Sequence, residues 1–222
     1  MIFMETQKKI AILILIGGKS TRFGVEKAVI NVLGKPLILH QIETLSNIDE
    51  DVFLVAHSTE QIYEYRENIN FSEDIRFIVD DREFFKHPNI FKPMLGIYSG
   101  FKHLNKEGFE KAFVLSCDMP LIKADVIEFM IKQSENYECC IPRWENGFLE
   151  PYFAIYPVNK GLTRAKDILT IENYGLLNLI DKNWKINYIS VEKSIKPLDD
   201  KLVSLINIKG PIDISKLLTF YK

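Results

Sequence analysis

Short runs of consecutive apolar residues alternate with amphipathic segments along the first half of the chain. Runs of this kind, rich in Ile, Leu and Val, are typical of strands buried on both faces. They predict strands over residues 10–16, 52–56, 75–79 and 112–116. Apolar positions at helical spacing predict helices over residues 37–45, 61–67, 96–104 and 123–133. Strands that alternate with helices in this way indicate βαβ units.

The second half of the chain is less regular. Two strands are predicted over residues 138–141 and 151–156, joined by a turn that contains Asn146 and Gly147. The remaining pattern predicts helices over 160–169 and 175–180, strands over 186–191 and 202–207, and a closing helix over 212–220. With no repeat or clear linker, the sequence predicts one domain over residues 1–222. The expected fold is α/β, a doubly wound, mostly parallel sheet with an inserted β-hairpin region. Ligands should bind beyond the carboxyl ends of its strands.

The first apolar run stops at two glycines and opens into a cationic loop. Its three glycines, two hydroxyls and three cations are Gly17, Gly18, Gly24, Ser20, Thr21, Lys19, Arg22 and Lys27. Glycine lets the backbone come close to a ligand, and the cations favour an anion. The loop therefore predicts a nucleoside triphosphate site, with a glycine-rich turn carrying solvated charges as the alternative.

This loop fits neither of the two common phosphate-binding motifs. Gly18-Lys19-Ser20 matches the end of a Walker A loop, but that motif requires glycine where the chain has Leu13. The adjacent glycines also break the pattern Gly-x-Gly-x-x-Gly. A P-loop and a dinucleotide fingerprint are therefore excluded.

A carboxylate stands just after another apolar run. Asp118 follows the strand predicted over residues 112–116, so it should lie at the edge where the glycine loop opens. Mg²⁺ prefers oxygen ligands and usually takes only one or two from protein beside substrate phosphates. Asp118 is therefore a candidate ligand for a Mg²⁺–triphosphate, with capping of the following helix as the alternative role.

Composition narrows the class of protein. The net charge of −2 leaves no basic excess, so neither nucleic acid nor a membrane is expected as a partner. No apolar run approaches the roughly 20 residues of a membrane span, and the run after Lys8 and Lys9 is too short for a signal peptide. Cys139 and Cys140 are adjacent, which disfavours a disulfide between them. Reduced thiols and a cytoplasmic location are expected.

Residues 15–27, 33–37 and 117–120 together resemble one family. It is the molybdenum cofactor guanylyltransferase type of nucleotidyltransferase, the MobA-like family, whose opening motif reads Leu-Ala-Gly-Gly-x-Ser-x-Arg-Met/Phe-Gly-x-Asp-Lys. The likeness continues more weakly through residues 79–81, 93–96, 150–156 and Asn207. It implies a Rossmann-like fold with a nucleotide-binding half at about 8–120 and an acceptor-binding half at about 121–222. It also implies transfer of GMP from GTP to the terminal phosphate of molybdopterin, with Mg²⁺ as cofactor and pyrophosphate as product.

The resemblance implies roles for individual residues. Contact with the nucleotide would fall to Leu15, Ile16, Gly17, Gly18, Lys27, Asp81 and Asp118, and the metal would bind Asp118. Backbone N–H groups of residues 17–20 would cradle the leaving phosphates, while Arg22 and Lys27 neutralise their charge. Glu150 and Asn207 are candidate acceptor contacts. Strand alternation predicts that only one of Asp80 and Asp81 faces the site.

Several positions depart from the family pattern. Ile16 replaces Ala, Glu26 replaces Asp, Lys92 replaces Gly, and Val55 stands where the family has an Asn that contacts GTP. Base and acceptor therefore stay open, with CTP or another NTP, or a sugar phosphate, as alternatives to GTP and molybdopterin. A nucleotide-binding module without turnover is the alternative from a different class. A monomer or a small homo-oligomer is expected.

Overall fold

A computed structural model of the protein describes residues 9–17, 26–84 and 92–217. A seven-stranded sheet forms its centre, and a two-stranded ribbon lies beside it. The strands are β1 (Ile10–Leu15), β2 (Asn31–Val32), β3 (Lys35–Pro36), β4 (Asp51–Ala56), β5 (Arg76–Val79), β6 (Lys111–Ser116), β7 (Cys139–Arg143), β8 (Phe153–Pro157) and β9 (Ile186–Ser190). The ribbon consists of β2 and β3.

Helices cover the sheet. The α-helices are α1 (Leu37–Leu45), α2 (Thr59–Asn68), α3 (Pro93–Lys106), α4 (Ala124–Gln133), α5 (Val158–Thr170) and α6 (Pro211–Leu217). Shorter turns of 3₁₀ helix cover Lys27–Val29, Arg82–Phe84, Leu176–Leu179 and Val203–Leu205, and a π-helical turn covers Val191–Ile195. Among the helices described, none is long and apolar enough to pass through a bilayer.

The strand order in the main sheet is β5-β4-β1-β6-β8-β7-β9. The pairs β4–β5, β1–β4, β1–β6 and β7–β9 are parallel, whereas β8 runs antiparallel to both of its neighbours. At the centre, Leu13 pairs with Phe53 on one side and Val114 on the other. The expectation of a mostly parallel α/β sheet is therefore confirmed.

Two apolar clusters sandwich β1. Ile12 and Ile14 pack into the cluster that includes side chains of α1, α2 and α4. Leu13 and Leu15 pack into the opposite cluster, beneath α3 and α5. Helix α3 comes close to the sheet because Gly100 faces the Leu13 side chain. Burial on both faces explains why this strand reads as an uninterrupted apolar run.

The elements predicted in the first half of the chain are confirmed in type, with ends that shift by a few residues. The predicted hairpin strands are β7 and β8, which lie inside the main sheet rather than beside it. The turn between them holds Gly147 at a φ of 88°, in the left-handed region that glycine tolerates.

The strand predicted over residues 202–207 is wrong. Leu202 has a φ of 52°, and the 3₁₀ turn Val203–Leu205 follows it. The buried Asp199 carboxylate accepts a hydrogen bond from the Ser204 N–H at 2.7 Å, which holds the segment as a turn. The helix predicted over 175–180 is the shorter Leu176–Leu179 turn. Part of the closing helix predicted over 212–220 lies outside the described residues.

Candidate active site

Polar residues and a glycine follow four neighbouring parallel strands at one edge of the sheet. Gly17 follows β1, His57 follows β4, Asp80 follows β5 and Asp118 follows β6. Carboxyl ends of parallel strands are the usual ligand-binding edge of such a sheet. The sequence predicts that ligands bind at this edge, and these four residues lie there in the structure.

Lys27 and Asp118 form an ion pair at this edge. The Lys27 Nζ atom lies 2.5 Å from Asp118 Oδ2, and the two side chains are 26% and 10% exposed. The other carboxylate oxygen, Asp118 Oδ1, is buried and has no hydrogen-bond partner among the described residues. The loop of Asp118 is tied down on both sides, since Cys117 N–H donates to Leu15 O at 3.2 Å and Ile208 N–H donates to Asp118 O at 2.8 Å.

The end of β1 is bound to β4. The N–H groups of Ile16 and Gly17 both donate to the Val55 carbonyl oxygen, at 3.0 and 3.1 Å. The Gly17 N–H is thus engaged in the sheet in this structure, and its contact with a phosphate stays a prediction. A Cβ at position 17 would lie 3.2 Å from the His57 backbone nitrogen, so this close packing favours glycine.

Asp80 borders a small cavity between β1, β4, β5 and the start of α3. The cavity is lined by Leu15, Gly17, Val55, His57, Asp80, Lys92, Pro93 and Gly96. Within the described part of the chain, Asp80 Oδ1 is buried without a hydrogen-bond partner. Burial raises the pKa of the Asp80 carboxyl to about 7, against the smaller opposing effect of the Arg82 charge.

Asp81 has a different environment from its neighbour. Its Oδ2 lies 2.5 Å from Lys102 Nζ, and its Oδ1 accepts from the Glu83 N–H at 3.1 Å. The Lys102 ammonium lowers the pKa of the Asp81 carboxyl. Only one of the two aspartates therefore borders the cavity, as alternation predicts, and it is Asp80 rather than the Asp81 to which the resemblance assigned the nucleotide.

The candidate acceptor contacts come from two segments later in the chain than Asp118. Glu150 is half-buried, and its Oε1 accepts from Trp144 Nε1–H at 2.7 Å. Burial raises the pKa of the Glu150 carboxyl, while the Trp144 hydrogen bond and the Lys209 charge oppose that shift. Asn207 directly precedes Ile208, whose amide binds the Asp118 carbonyl. Both candidates therefore belong to segments that approach the end of β6.

The chemistry of Asp118 fits a divalent metal ion. Nucleotidyltransferases of this kind generally use such an ion. Within residues 9–17, 26–84 and 92–217, no cluster of three or more metal-ligating side chains occurs. A single carboxylate is nevertheless sufficient for Mg²⁺-type coordination, because substrate phosphates and water complete the shell. The partnerless Asp118 Oδ1 is the oxygen available for this purpose.

Two predicted residues, Gly18 and Arg22, lie outside the described residues. Sequence reasoning missed two others, the buried glutamines Gln41 and Gln61, which hydrogen-bond to the loops of this site. Their polarity on otherwise amphipathic helices was the only available signal. Nothing in the sequence indicated which backbone groups they would reach.

The chain is similar to known proteins over most of its length. The family model for the MobA-like NTP transferase domain matches residues 12–182. A "probable molybdenum cofactor guanylyltransferase" from Thermococcus sibiricus is 34% identical over 92% of this chain and 95% of its own length. A relative with the same description from Pyrococcus horikoshii is 31% identical over 83% of this chain and 88% of its own.

Solved structures support the fold. Molybdopterin-guanine dinucleotide biosynthesis protein A from Archaeoglobus fulgidus superposes with a TM-score of 0.76 at 23% identity, covering 95% of this chain and 98% of that one. A 4-diphosphocytidyl-2C-methyl-D-erythritol synthase from Anaerococcus prevotii superposes with a TM-score of 0.67 at 15% identity, covering 97% and 96%. With the family match over most of its length, the chain belongs to the MobA-like NTP transferases and is a nucleotidyltransferase.

Proposed function

We propose that the protein transfers GMP from GTP to the terminal phosphate of molybdopterin or its molybdenum-loaded form and releases pyrophosphate. The observation that carries the proposal is the Lys27–Asp118 pair, with its partnerless carboxylate oxygen, at the carboxyl edge of the sheet. The choice of GTP and of this acceptor is supported by the relatives at 34% and 31% identity, which are probable molybdenum cofactor guanylyltransferases.

The reaction needs charge neutralisation and alignment more than covalent help from the protein. An oxygen of the acceptor phosphate forms a bond to the α-phosphorus of GTP. The bond from that phosphorus to the oxygen bridging the α- and β-phosphates breaks, and pyrophosphate leaves with the electron pair. No general base is required, because a phosphate monoester is already ionised near neutral pH.

The residues of the Lys27–Asp118 pair have separate tasks in this scheme. Lys27, partly exposed beside Asp118, neutralises negative charge on the triphosphate. Arg22 is proposed to share this task, and Gly18 to contact the phosphates through its backbone. Asp118, whose Oδ1 has no hydrogen-bond partner among the described residues, would hold Mg²⁺, and the ion would supply charge neutralisation to the phosphates.

The nucleotide base is proposed to bind at the mouth of the cavity beside Leu15, Gly17 and Val55, since the cavity itself has a volume of only about 10 Å³. A carboxylate can accept hydrogen bonds from the N1–H and 2-amino group of guanine, and Asp80, whose Oδ1 has no partner among the described residues, supplies a carboxylate there. Ionised Asp80 would favour guanine over adenine, which lacks this pair of donors. Asp81, which forms an ion pair with Lys102, is proposed to contact the nucleotide from outside the cavity.

The segment beyond β6 is proposed to hold the acceptor, with Glu150 and Asn207 as contacts. An apolar residue at position 55 leaves another base as the second candidate, since the family's Asn contact to GTP is missing. The protein would then use CTP in place of GTP, or a different phosphate acceptor, and Lys27 and Asp118 would keep their roles.

Pyrophosphate release separates these possibilities. The protein is incubated with Mg²⁺ and one NTP at a time, with and without molybdopterin, and pyrophosphate is measured. We expect release only with GTP and only with the acceptor. Release with CTP, or only with a sugar phosphate, would overturn the substrate assignment. Absence of release under every condition would overturn catalysis and favour a binding module.

A further inference from the structure

Two buried glutamines lie behind the strand ends that carry the Lys27–Asp118 pair. Gln41 on α1 is fully buried, and Gln61 on α2 is 2% exposed. Glutamine is seldom buried to this extent, and removing its amide from water is unfavourable unless hydrogen bonds replace those to water. The side-chain amides of both residues donate hydrogen bonds to the loops of the candidate site.

Gln41 holds the loop of Asp118. Its Nε2 donates to the carbonyl oxygens of Ser116 and Met119, both at 2.8 Å. These two carbonyls flank Asp118, so one side-chain amide fixes the chain on each side of the carboxylate. Both N–H bonds are used, which sets the orientation of the amide, since the reverse orientation would face Oε1 toward two carbonyl oxygens.

Gln61 joins the residues on either side of the glycine loop. Its Nε2 donates to the Ile16 carbonyl at 3.2 Å and to Glu26 Oε2 at 2.6 Å. Its Oε1 accepts from the His57 N–H at 2.8 Å, which ties the same side chain to the end of β4. Since Ile16 precedes Gly17 and Glu26 precedes Lys27, one buried amide connects the entry and the exit of the loop.

Tyr65 reinforces this connection from one turn further along α2. Its hydroxyl lies 3.1 Å from Gln61 Nε2. Burial and a hydrogen bond to Glu26 raise the pKa of the Tyr65 hydroxyl, so it stays a neutral donor to that carboxylate. Glu26 is thereby held from two side chains, and the Cα atom of Lys27 is fixed next to it.

We propose that Gln41 and Gln61 are positioning residues for the transfer reaction. Gln61, through Glu26, sets the location of Lys27, and Gln41 sets the location of Asp118. The inference rests on the proposed roles of Lys27 and Asp118. Gln41 lies on α1 and binds the loop after β6, whereas Gln61 lies on α2 and binds both sides of the glycine loop. Among the described residues, neither glutamine has a hydrogen bond to Lys27 or Asp118.

The size of the expected effect follows from geometry. A displacement of about 1 Å in a catalytic group can lower the rate by about 10²-fold. Methionine has the length and the unbranched shape of glutamine but no N–H donors, so Gln41→Met and Gln61→Met keep the packing and remove the hydrogen bonds. We expect each to lower kcat by about 10-fold or more at saturating GTP.

A matched control separates positioning from loss of stability. Ser134 is also buried, and its hydroxyl donates to the Ile131 carbonyl at 2.7 Å at the opposite edge of the sheet. Ser134→Ala removes a buried side-chain hydrogen bond there, and we expect a lower Tm with kcat unchanged. Equal kcat values in Ser134→Ala, Gln41→Met and Gln61→Met would overturn the proposal.

Double variants provide the readout that a structural role would not give. If Gln61 acts through Lys27, adding Gln61→Met to Lys27→Ala should lower kcat no further than Lys27→Ala alone. The same holds for Gln41→Met added to Asp118→Ala. If the reductions in kcat of the two single variants multiply in both double variants, the proposal is contradicted, even when each single variant is slow.

The failure of this inference is distinguishable from failure of the proposed function. Near-normal turnover in Lys27→Ala would reject the proposed function, whereas slow Lys27→Ala with normal Gln61→Met would reject only the positioning role. If Gln61→Met does not fold, Glu26→Asp gives the same test by withdrawing the carboxylate by one methylene. We expect Glu26→Asp to retain more activity than Glu26→Ala, and equal activity of the two would count against the role of Glu26.

Discussion

The ammonium of Lys27 lies 2.5 Å from Asp118 Oδ2, although the two residues come from separate segments that follow β1 and β6. The contact brings the cation proposed to bind phosphates next to the carboxylate proposed to bind the metal. Both side chains are more than two-thirds buried, so solvent screens their charges less than at an open surface. The pairing therefore keeps two opposite charges oriented at the site before any nucleotide binds.

Removal of either charge should slow transfer strongly. We expect Lys27→Ala and Asp118→Asn each to lower kcat by about 10²-fold or more, in line with the loss of one preorganised electrostatic group. The assay is acceptor-dependent pyrophosphate release. Lys160 and Glu138 form a more exposed ion pair at the other edge of the sheet, and Lys160→Ala and Glu138→Gln should leave kcat within about twofold. Comparable losses in both pairs would argue against a special role for Lys27 and Asp118.

Asp80 and Asp81 should differ in their effect on nucleotide binding. Asp80→Asn replaces a carboxylate by an amide whose N–H groups oppose those of guanine, so KM for GTP should rise about 10-fold or more. Asp81→Asn should change KM less, because Asp81 is committed to Lys102. The reverse order of the two KM values would restore Asp81 as the nucleotide contact.

Affinity for GTP should depend on pH through Asp80. Burial raises the pKa of this carboxyl from 3.8 to about 7, so protonation below pH 7 removes one acceptor for guanine. KM for GTP should therefore rise as pH falls from 8 to 6 in the wild type and stay flatter in Asp80→Asn. Stability should move in the opposite direction. A raised carboxyl pKa means that the folded state binds the Asp80 proton more tightly than the unfolded state does. Protonation of Asp80 therefore adds to the free energy of unfolding at low pH, and this addition is lost as pH rises toward 7.

The cavity beside Asp80 offers a steric test. A Cβ on Gly96 would lie 3.3 Å from Leu15 Cδ2 and 3.5 Å from both Asp80 Oδ1 and Val55 Cγ1. Gly96→Ala should therefore narrow the cavity without a severe clash, raising KM for GTP about 10-fold with kcat nearly unchanged. Gly210→Ala is the control, because a Cβ there meets nothing within 4 Å among the described residues. Unchanged KM in Gly96→Ala would exclude this cavity as the base site.

Glu150 should act on the acceptor alone. Glutamine at this position keeps an oxygen that can accept the Trp144 N–H, so Glu150→Gln should fold normally. Loss of a charged acceptor for ring N–H donors should raise KM for molybdopterin about 10-fold and leave KM for GTP unchanged. Equal changes in both KM values would indicate a general disturbance of the site instead.

The sequence predicted those helices and strands that have a regular spacing of apolar residues and a clear start and end. Helix α1 begins and ends where its apolar spacing indicates, and β1 was evident from an apolar run that both faces of the sheet require. The segment at 202–207 misled for a physical reason. Its apolar residues look like a strand, but a buried carboxylate at Asp199 supplies the hydrogen bonds that a neighbouring strand would have given.

The site was partly visible in the same way. The glycine loop and Asp118 were recognisable because each directly follows a strand. The distinction between Asp80 and Asp81 depends on the residue at which β5 ends, and a shift of one position exchanges their directions. The partners of Gln41 and Gln61 lie on distant backbone groups, which carry no sequence signal at all.

The hydrogen bond from Ile208 to the Asp118 carbonyl also has a consequence for biosynthesis of the protein. Synthesis proceeds from the amino terminus, and segments begin to fold in that order. The family match ends at residue 182, yet the proposed metal-binding loop is fastened by a residue made later. A nascent chain that has reached only residue 182 would contain β1 to β8 and still lack this tether. Its reaction centre would be completed only after residue 208 has emerged and folded back.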